Sequence, residues 1–254
     1  MSEIVTDVEV RTRQRETVLE QRLGLVADIA FYLVALYFFF YLSRYYVTGA
    51  GGPSLLAVNA VPLTVCLVVL DDLRKGDFYP RLGVVAPFLI AFAYVGFCFY
   101  SIWYLVSEFD NIRIYRIAVW NMHDMIVGGG MTALVLEYTR RRYFSLFVIN
   151  VALILYTVYG YVIPGMFNHP GMSWTRVVTS TSLEMSTGIF ERLSQLAVTL
   201  IGSFILVLAA LRAFGCIDSI LKGAGRIAAR SPQLLPQTAV IGSFAVGAVS
   251  GSGA

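Results

Sequence analysis

The chain has 254 residues, is 57% hydrophobic and only 14% charged, and carries a formal net charge of +3. Its mean hydropathy is +0.72. A soluble domain is nearer half apolar and a quarter charged, so these figures exclude soluble secreted, nucleic-acid-binding and disordered classes and indicate an all-α integral membrane protein.

Residues 1–24 are polar, with Arg11, Arg13, Arg15 and Arg22 set against Glu3, Asp7, Glu9, Glu16 and Glu20. No apolar core begins near Met1, so the segment reads as a tail or a short surface helix rather than a cleavable signal. A spanning helix needs about 20 mostly apolar residues. The first such run is 25–47, with an aromatic cluster from Phe31 to Tyr46. The second, 53–70, has Pro53 near its start and Pro62 inside it, and the charged turn DDLRKGDFYPR follows. The third is 82–106. After the loop SEFDNIRIYR comes the weakest run, 117–136, which NMHDM and GGG interrupt and EYTRRR closes. The fifth, 143–163, stops at Pro164.

Residues 164–194 mix turn residues with amphipathic pieces. Trp174, Val177, Val178 and Ser182 approximate one helical face, so a short interfacial helix is expected there. A second polar helix start is expected near Thr187. The sixth spanning run is 195–214, and a basic loop with Lys222, Arg226 and Arg230 follows. The segment 237–249 is too short to cross about 30 Å of hydrocarbon. It meets a Ser-Gly-Ser-Gly break at 250–253. A break at membrane depth needs protein or a cavity to cover the loosened backbone. The expected architecture is therefore about six transmembrane helices plus an incomplete re-entrant hairpin, of which one arm and the tip are present.

Lys and Arg near helix ends set the orientation. With the N-terminus in the cytoplasm, the inside segments hold the four arginines of the tail, then Arg74, Lys75 and Arg81, then Arg140, Arg141 and Arg142, then Arg212, Lys222, Arg226 and Arg230. The outside segments hold fewer, among them Arg113, Arg116, Arg176 and Arg192. The expected location is a bacterial inner membrane, crossed several times.

Broken half-helices are a common way to build ion sites in secondary transporters. The C-terminal end of a half-helix is partly negative, and its unwound carbonyls can ligate sodium. Ser250, Gly251 and Ser252 have the matching composition: hydroxyl oxygens and a free backbone. The competing reading is a small-residue packing patch. His123 and Asp124 are the rival site, since ionisable groups in an apolar run are functional candidates. They are adjacent, point about 100° apart on a helix, and lie more than three turns from Glu137; helix-end or packing roles are the alternative. His169 falls in an outer loop, which leaves no bis-histidine ligand set in the spans. Cys66, Cys98 and Cys216 form no CxxC pair and read as small buried apolar groups.

The stretch YGYVIPGMFNHPGMSWTRVVTSTSLEMSTGIF, 159–190, resembles the fused permeases of tripartite ATP-independent periplasmic (TRAP) transporters, in which small and large membrane subunits form one chain. The matching elements are Tyr159-Gly160, Pro164-Gly165, His169-Pro170-Gly171 and Thr187-Gly188-Ile189-Phe190, then Phe214-Gly215, the loop Arg226 to Pro232, and Ser250-Gly251-Ser252. The resemblance extends over about 140–254; over 25–136 it is topological only.

The resemblance implies a small-subunit-like region at 25–163, a periplasmic or interfacial connector at 164–194, and the start of a large-subunit-like transport domain at 195–254. It implies sodium-coupled import of small organic acids and delivery by a periplasmic substrate-binding protein. It further implies a sodium ion at the hairpin tip, Ser250, Gly251 and Ser252, as coupling ion. The family's second hairpin arm and inverted repeat do not follow, so the remainder of the large membrane subunit is an expected partner and this chain is not expected to transport alone. No organic cofactor, metal site or enzyme activity is expected. A membrane scaffold or sensor subunit is the alternative function, and an enzyme using His123 and Asp124 is a third.

Overall fold

The computed structural model describes residues 2–83, 85–116, 119–184, 187–216, 219 and 222, with the backbone alone for 2–21. All regular elements among them are helical. Two compact units divide the chain, residues 1–195 and 196–254.

In the first unit, α1 runs unbroken over Ser2–Thr48. The polar N-terminal stretch is thus the first half of one long helix, neither a separate tail nor a separate short helix. No proline and only one glycine, Gly24, fall within it, so nothing local ends the helix where the polar residues give way to apolar ones. It stops at Gly49, Gly51 and Gly52, which all have positive φ.

Helix α2 (Gly52–Arg74) is the centre of the bundle. Leu56, Val58, Leu63, Cys66 and Leu70 are buried, and residues of α1, α3 and α4 pack around them. More than half of its apolar window is covered by protein, 56%, against 11% for α1. In a membrane the uncovered apolar side chains of α1, such as Leu33, Leu36 and Phe40, meet hydrocarbon instead. Helix α3 (Val85–Ser107) returns along α2.

Helix α4 covers Met122–Arg142, five to six residues beyond the 117–136 run expected from hydropathy. The shift has a cause at each end. Asn121 and Asp124 form a capping box, which fixes the start. Glu137 grips Arg140 one turn on, and three arginines fill the last turn, where the helix dipole favours cations. Among the described residues, five segments are long and apolar enough to cross a membrane: 22–48, 52–74, 85–107, 144–162 and 192–213. Helix α4 is not among them because of its charges, yet its 21 residues rise about 31 Å. Its first turn meets the end of α3, and its last turn meets the end of α2. It therefore runs the height of the bundle.

Helix α5 (Phe144–Tyr159) reverses directly from α4, and α6 (Trp174–Ser182) follows the connector. The helical run 192–213, which begins at the end of the first unit, contains α7 (Arg192–Leu196), a π turn at Ala197–Ile201 and α8 (Gly202–Ala213). The expected hairpin arm, 237–249, and its tip lie outside the described residues.

Candidate functional site

Two charge clusters hold the ends of α4. At its start, Asp124 is fully buried. Its Oδ2 accepts from the Asn121 backbone N–H at 2.7 Å, and its Oδ1 accepts from Tyr104 Oη at 2.8 Å. Arg116 bridges it at 3.4 Å to Glu108 at 2.9 Å, and Asn111 donates to the same Glu108 carboxylate at 3.0 Å. Asp124 is a helix-capping, ion-paired group. His123 Nδ1 lies 3.2 Å from Tyr100 Oη, and its ring is 6.0 Å from the Tyr104 ring, so Tyr104 adjoins both His123 and Asp124.

At the far end of α4, Arg141 donates to Asp72 at 2.8 Å and Arg142 does so at 3.3 Å. Arg141 also stacks over Phe78, 4.5 Å from the ring centroid. Tyr79 donates to Glu137, which Arg140 holds in a two-point pair at 2.6 and 2.7 Å. Burial first, then the bond to Glu137, pushes the Tyr79 phenol above its ordinary value, so it stays a donor. The arginine run thus ties α4 to α2 and to the loop after it, besides marking a helix end.

The connector motifs are structural clamps. The Gly160 backbone lies flat against the His169 imidazole, and a Cβ there would overlap the ring. His169 Nδ1 accepts from Gly171 N–H at 3.1 Å, and its ring stacks edge-on with Tyr156. Asn168 donates to the Tyr161 and Ile163 carbonyls at 3.1 and 3.0 Å. Ser173 caps α6 by accepting from Arg176 N–H. Of the expected face, Val177 and Ser182 are buried, Val178 is partly covered, and Trp174 is exposed. The buried side lies on α4, where Gly128 admits Ser182 and Leu183.

Thr187, Gly188 and Ile189 close the open end of α6. The Ile189 N–H donates to the Thr181 carbonyl at 2.7 Å, and the Thr187 hydroxyl donates to the Ser180 carbonyl at 3.0 Å. These are carbonyls that a helix end leaves without an internal partner. Gly188 has φ +90°, and a Cβ on it would strike the Thr181 carbonyl. Phe190 is buried behind it. The polar helix start expected near Thr187 lies at Arg192, because 187–189 serve as this clamp.

Between α4, α5 and α6 lies a groove of about 600 Å³. Its mouth carries Arg176 and Glu184, paired at 2.7 Å. Thr132, Thr139, Asn150 and Thr157 mark its length, and Val135, Leu136, Leu153 and Ile154 form its walls. The Thr187-Gly188-Ile189 motif lines one part of this groove, though nothing in it announces a cavity. The groove's one local signal is a cation and a carboxylate two helical turns apart on an amphipathic stretch. Ser250, Gly251 and Ser252, the expected ion-binding tip, lie outside the described residues. Among the described residues no three His, Cys, Asp or Glu side chains converge.

Residues 131–254 match the sequence profile of the family described as "Tripartite ATP-independent periplasmic transporter, DctM component". No curated protein and no solved structure matches the chain. The matched segment starts inside α4 and takes in the groove, both connector clamps and the whole second unit. Over residues 131–254, just under half of its length, this membrane protein is similar to the DctM membrane component of tripartite ATP-independent periplasmic transporters.

Proposed function

We propose that the chain is part of a membrane permease that imports small organic acids by sodium symport, with substrate delivered by a periplasmic binding protein. The family match over 131–254 carries this reading. Residues 25–163 then take the place of the small membrane subunit, with 131–163 also falling inside the family match. The bundle of α1–α4 suits a scaffold role: its buried charges are paired with one another, which leaves packing as their work. Coupling is assigned to the tip at Ser250, Gly251 and Ser252, where serine oxygens and free carbonyls would hold a sodium ion. The N-terminus is placed in the cytoplasm of a bacterial inner membrane, and the remainder of the large membrane subunit is a partner.

The test is uptake into proteoliposomes that contain the permease, with the system's binding protein outside. Radiolabelled dicarboxylates and sugar acids are the substrates. Accumulation is expected only with an inward sodium gradient and the binding protein. Accumulation of none of these acids with both present overturns the reading in favour of a scaffold or sensor subunit.

A further inference from the structure

We propose that the groove between α4, α5 and α6 holds one phospholipid molecule of a particular kind: a zwitterionic lipid with a primary ammonium, its phosphate on Arg176 and its ammonium on Glu184. The inference stands on the groove and does not rest on the transport reading.

The groove suits the glycerol-proximal half of an acyl chain. Its volume is about 600 Å³. Thr132 to Thr139 on α4, and Asn150 to Thr157 on α5, each give about 10 Å of wall along the helix axis. The walls between are aliphatic, from Val135, Leu136, Leu153 and Ile154, and suit an acyl chain. Only 11% of the apolar window in the span 144–162 is buried in protein. A water-soluble solute would have to reach the groove past hydrocarbon, whereas a lipid is already there.

The mouth selects the headgroup. Arg176 and Glu184 pair at 2.7 Å, and Arg176 is 44% exposed, so its guanidinium can accept a second anionic partner. The Thr187 hydroxyl lies 3.0 Å from the Glu184 carboxylate as well as from the Ser180 carbonyl, so its one hydrogen is shared between them. A phosphate beside the cation and an ammonium beside the carboxylate complete an alternating array. A net-negative headgroup gains the first contact and is repelled by Glu184. A trimethylammonium brings the charge but has no N–H to donate. Below the mouth, the Thr132 hydroxyl oxygen is shielded and has no hydrogen-bond partner. A polar group in that position at membrane depth is costly, and rotation of the Thr132 side chain into the groove would let it donate to an ester carbonyl of the glycerol backbone.

The experiment uses the purified, delipidated chain in detergent. Phosphatidylethanolamine, phosphatidylcholine and phosphatidylglycerol are supplied in equal amounts, and native mass spectrometry reads what is retained. One phosphatidylethanolamine per chain is expected, in preference to the other two. Glu184→Gln should reduce the preference over phosphatidylglycerol roughly tenfold, the effect of one charged hydrogen bond. Arg176→Gln should lower retention of all three lipids. Leu153→Trp fills the groove without touching the clamp and should abolish retention; it remains decisive if Glu184→Gln fails to fold. No retained lipid, or retention indifferent to both headgroup and Leu153→Trp, overturns the proposal.

Discussion

Tyr104 and Asp124 meet across the contact of α3 and α4, with the phenolic hydroxyl donating to Oδ1 at 2.8 Å. The bond links the last turns of one helix to the first turn of the next. Since Asp124 also caps α4 and pairs with Arg116, one carboxylate serves three donors. Asp124→Ala should cost about 2–3 kcal/mol, from the lost cap and the stranded charged donor. Thermal unfolding in detergent reads it. His123→Gln should leave both stability and sodium-driven uptake by the assembled permease within a few-fold. A 100-fold loss of uptake at normal expression, about 2.7 kcal/mol, would give His123 a role in proton or metal handling.

Asp72 is the hub at the opposite end, where Arg141 and Arg142 converge on a carboxylate that is 4% exposed. Asp72→Asn should destabilise by about 3 kcal/mol, because two cations lose their partner. The double variant Asp72→Asn with Arg141→Gln should lose less than the sum of the two single changes. Additive losses would show that the pair does not couple α2 to α4.

Gly188 and Gly49 both have positive φ, +90° and +65°. A Cβ at Gly49 would meet nothing within 4 Å, whereas one at Gly188 would strike the Thr181 carbonyl. Gly49→Ala should therefore cost only about 1 kcal/mol of backbone strain. Gly188→Ala should cost clearly more and open the end of α6 to proteolysis near Glu184. Equal costs would mean that the clamp contributes nothing.

Cysteine labelling or reporter fusions check the topology. Positions after Lys75, Arg142 and Lys222 should lie on one side of the membrane, and Gly51, Asn111 and Asn168 on the other. If Arg142 fell on the side of Asn111, α4 would not cross.

For the proposed ion site, a Ser250→Cys variant on a background without Cys66, Cys98 and Cys216 should react with a water-soluble thiol reagent. Sodium should slow the reaction, because an ion that binds only the closed tip favours it by RT ln(1 + [L]/Kd). Indifference to sodium would make Ser250 and Ser252 packing residues.

Much of this molecule is decided locally. Among the described residues, five stretches are apolar enough to cross a membrane whatever surrounds them. The glycines after Thr48 end α1, Ser173 starts α6, and the Thr187-Gly188-Ile189 turn closes it; each acts within a few residues. Such features are legible in a sequence because hydropathy and capping are sums over neighbours. Helix α4 is different. Its charges spoil the local sum and place its hydropathy signal too early. Its frame is set by partners 69 residues away at Asp72, 58 away at Tyr79 and 20 away at Tyr104. The groove also belongs to the tertiary structure, since no single helix contains it and it exists only where α6 lies against α4 and α5. Which charges are buried and satisfied is a property of distance in space, and only the folded bundle determines it.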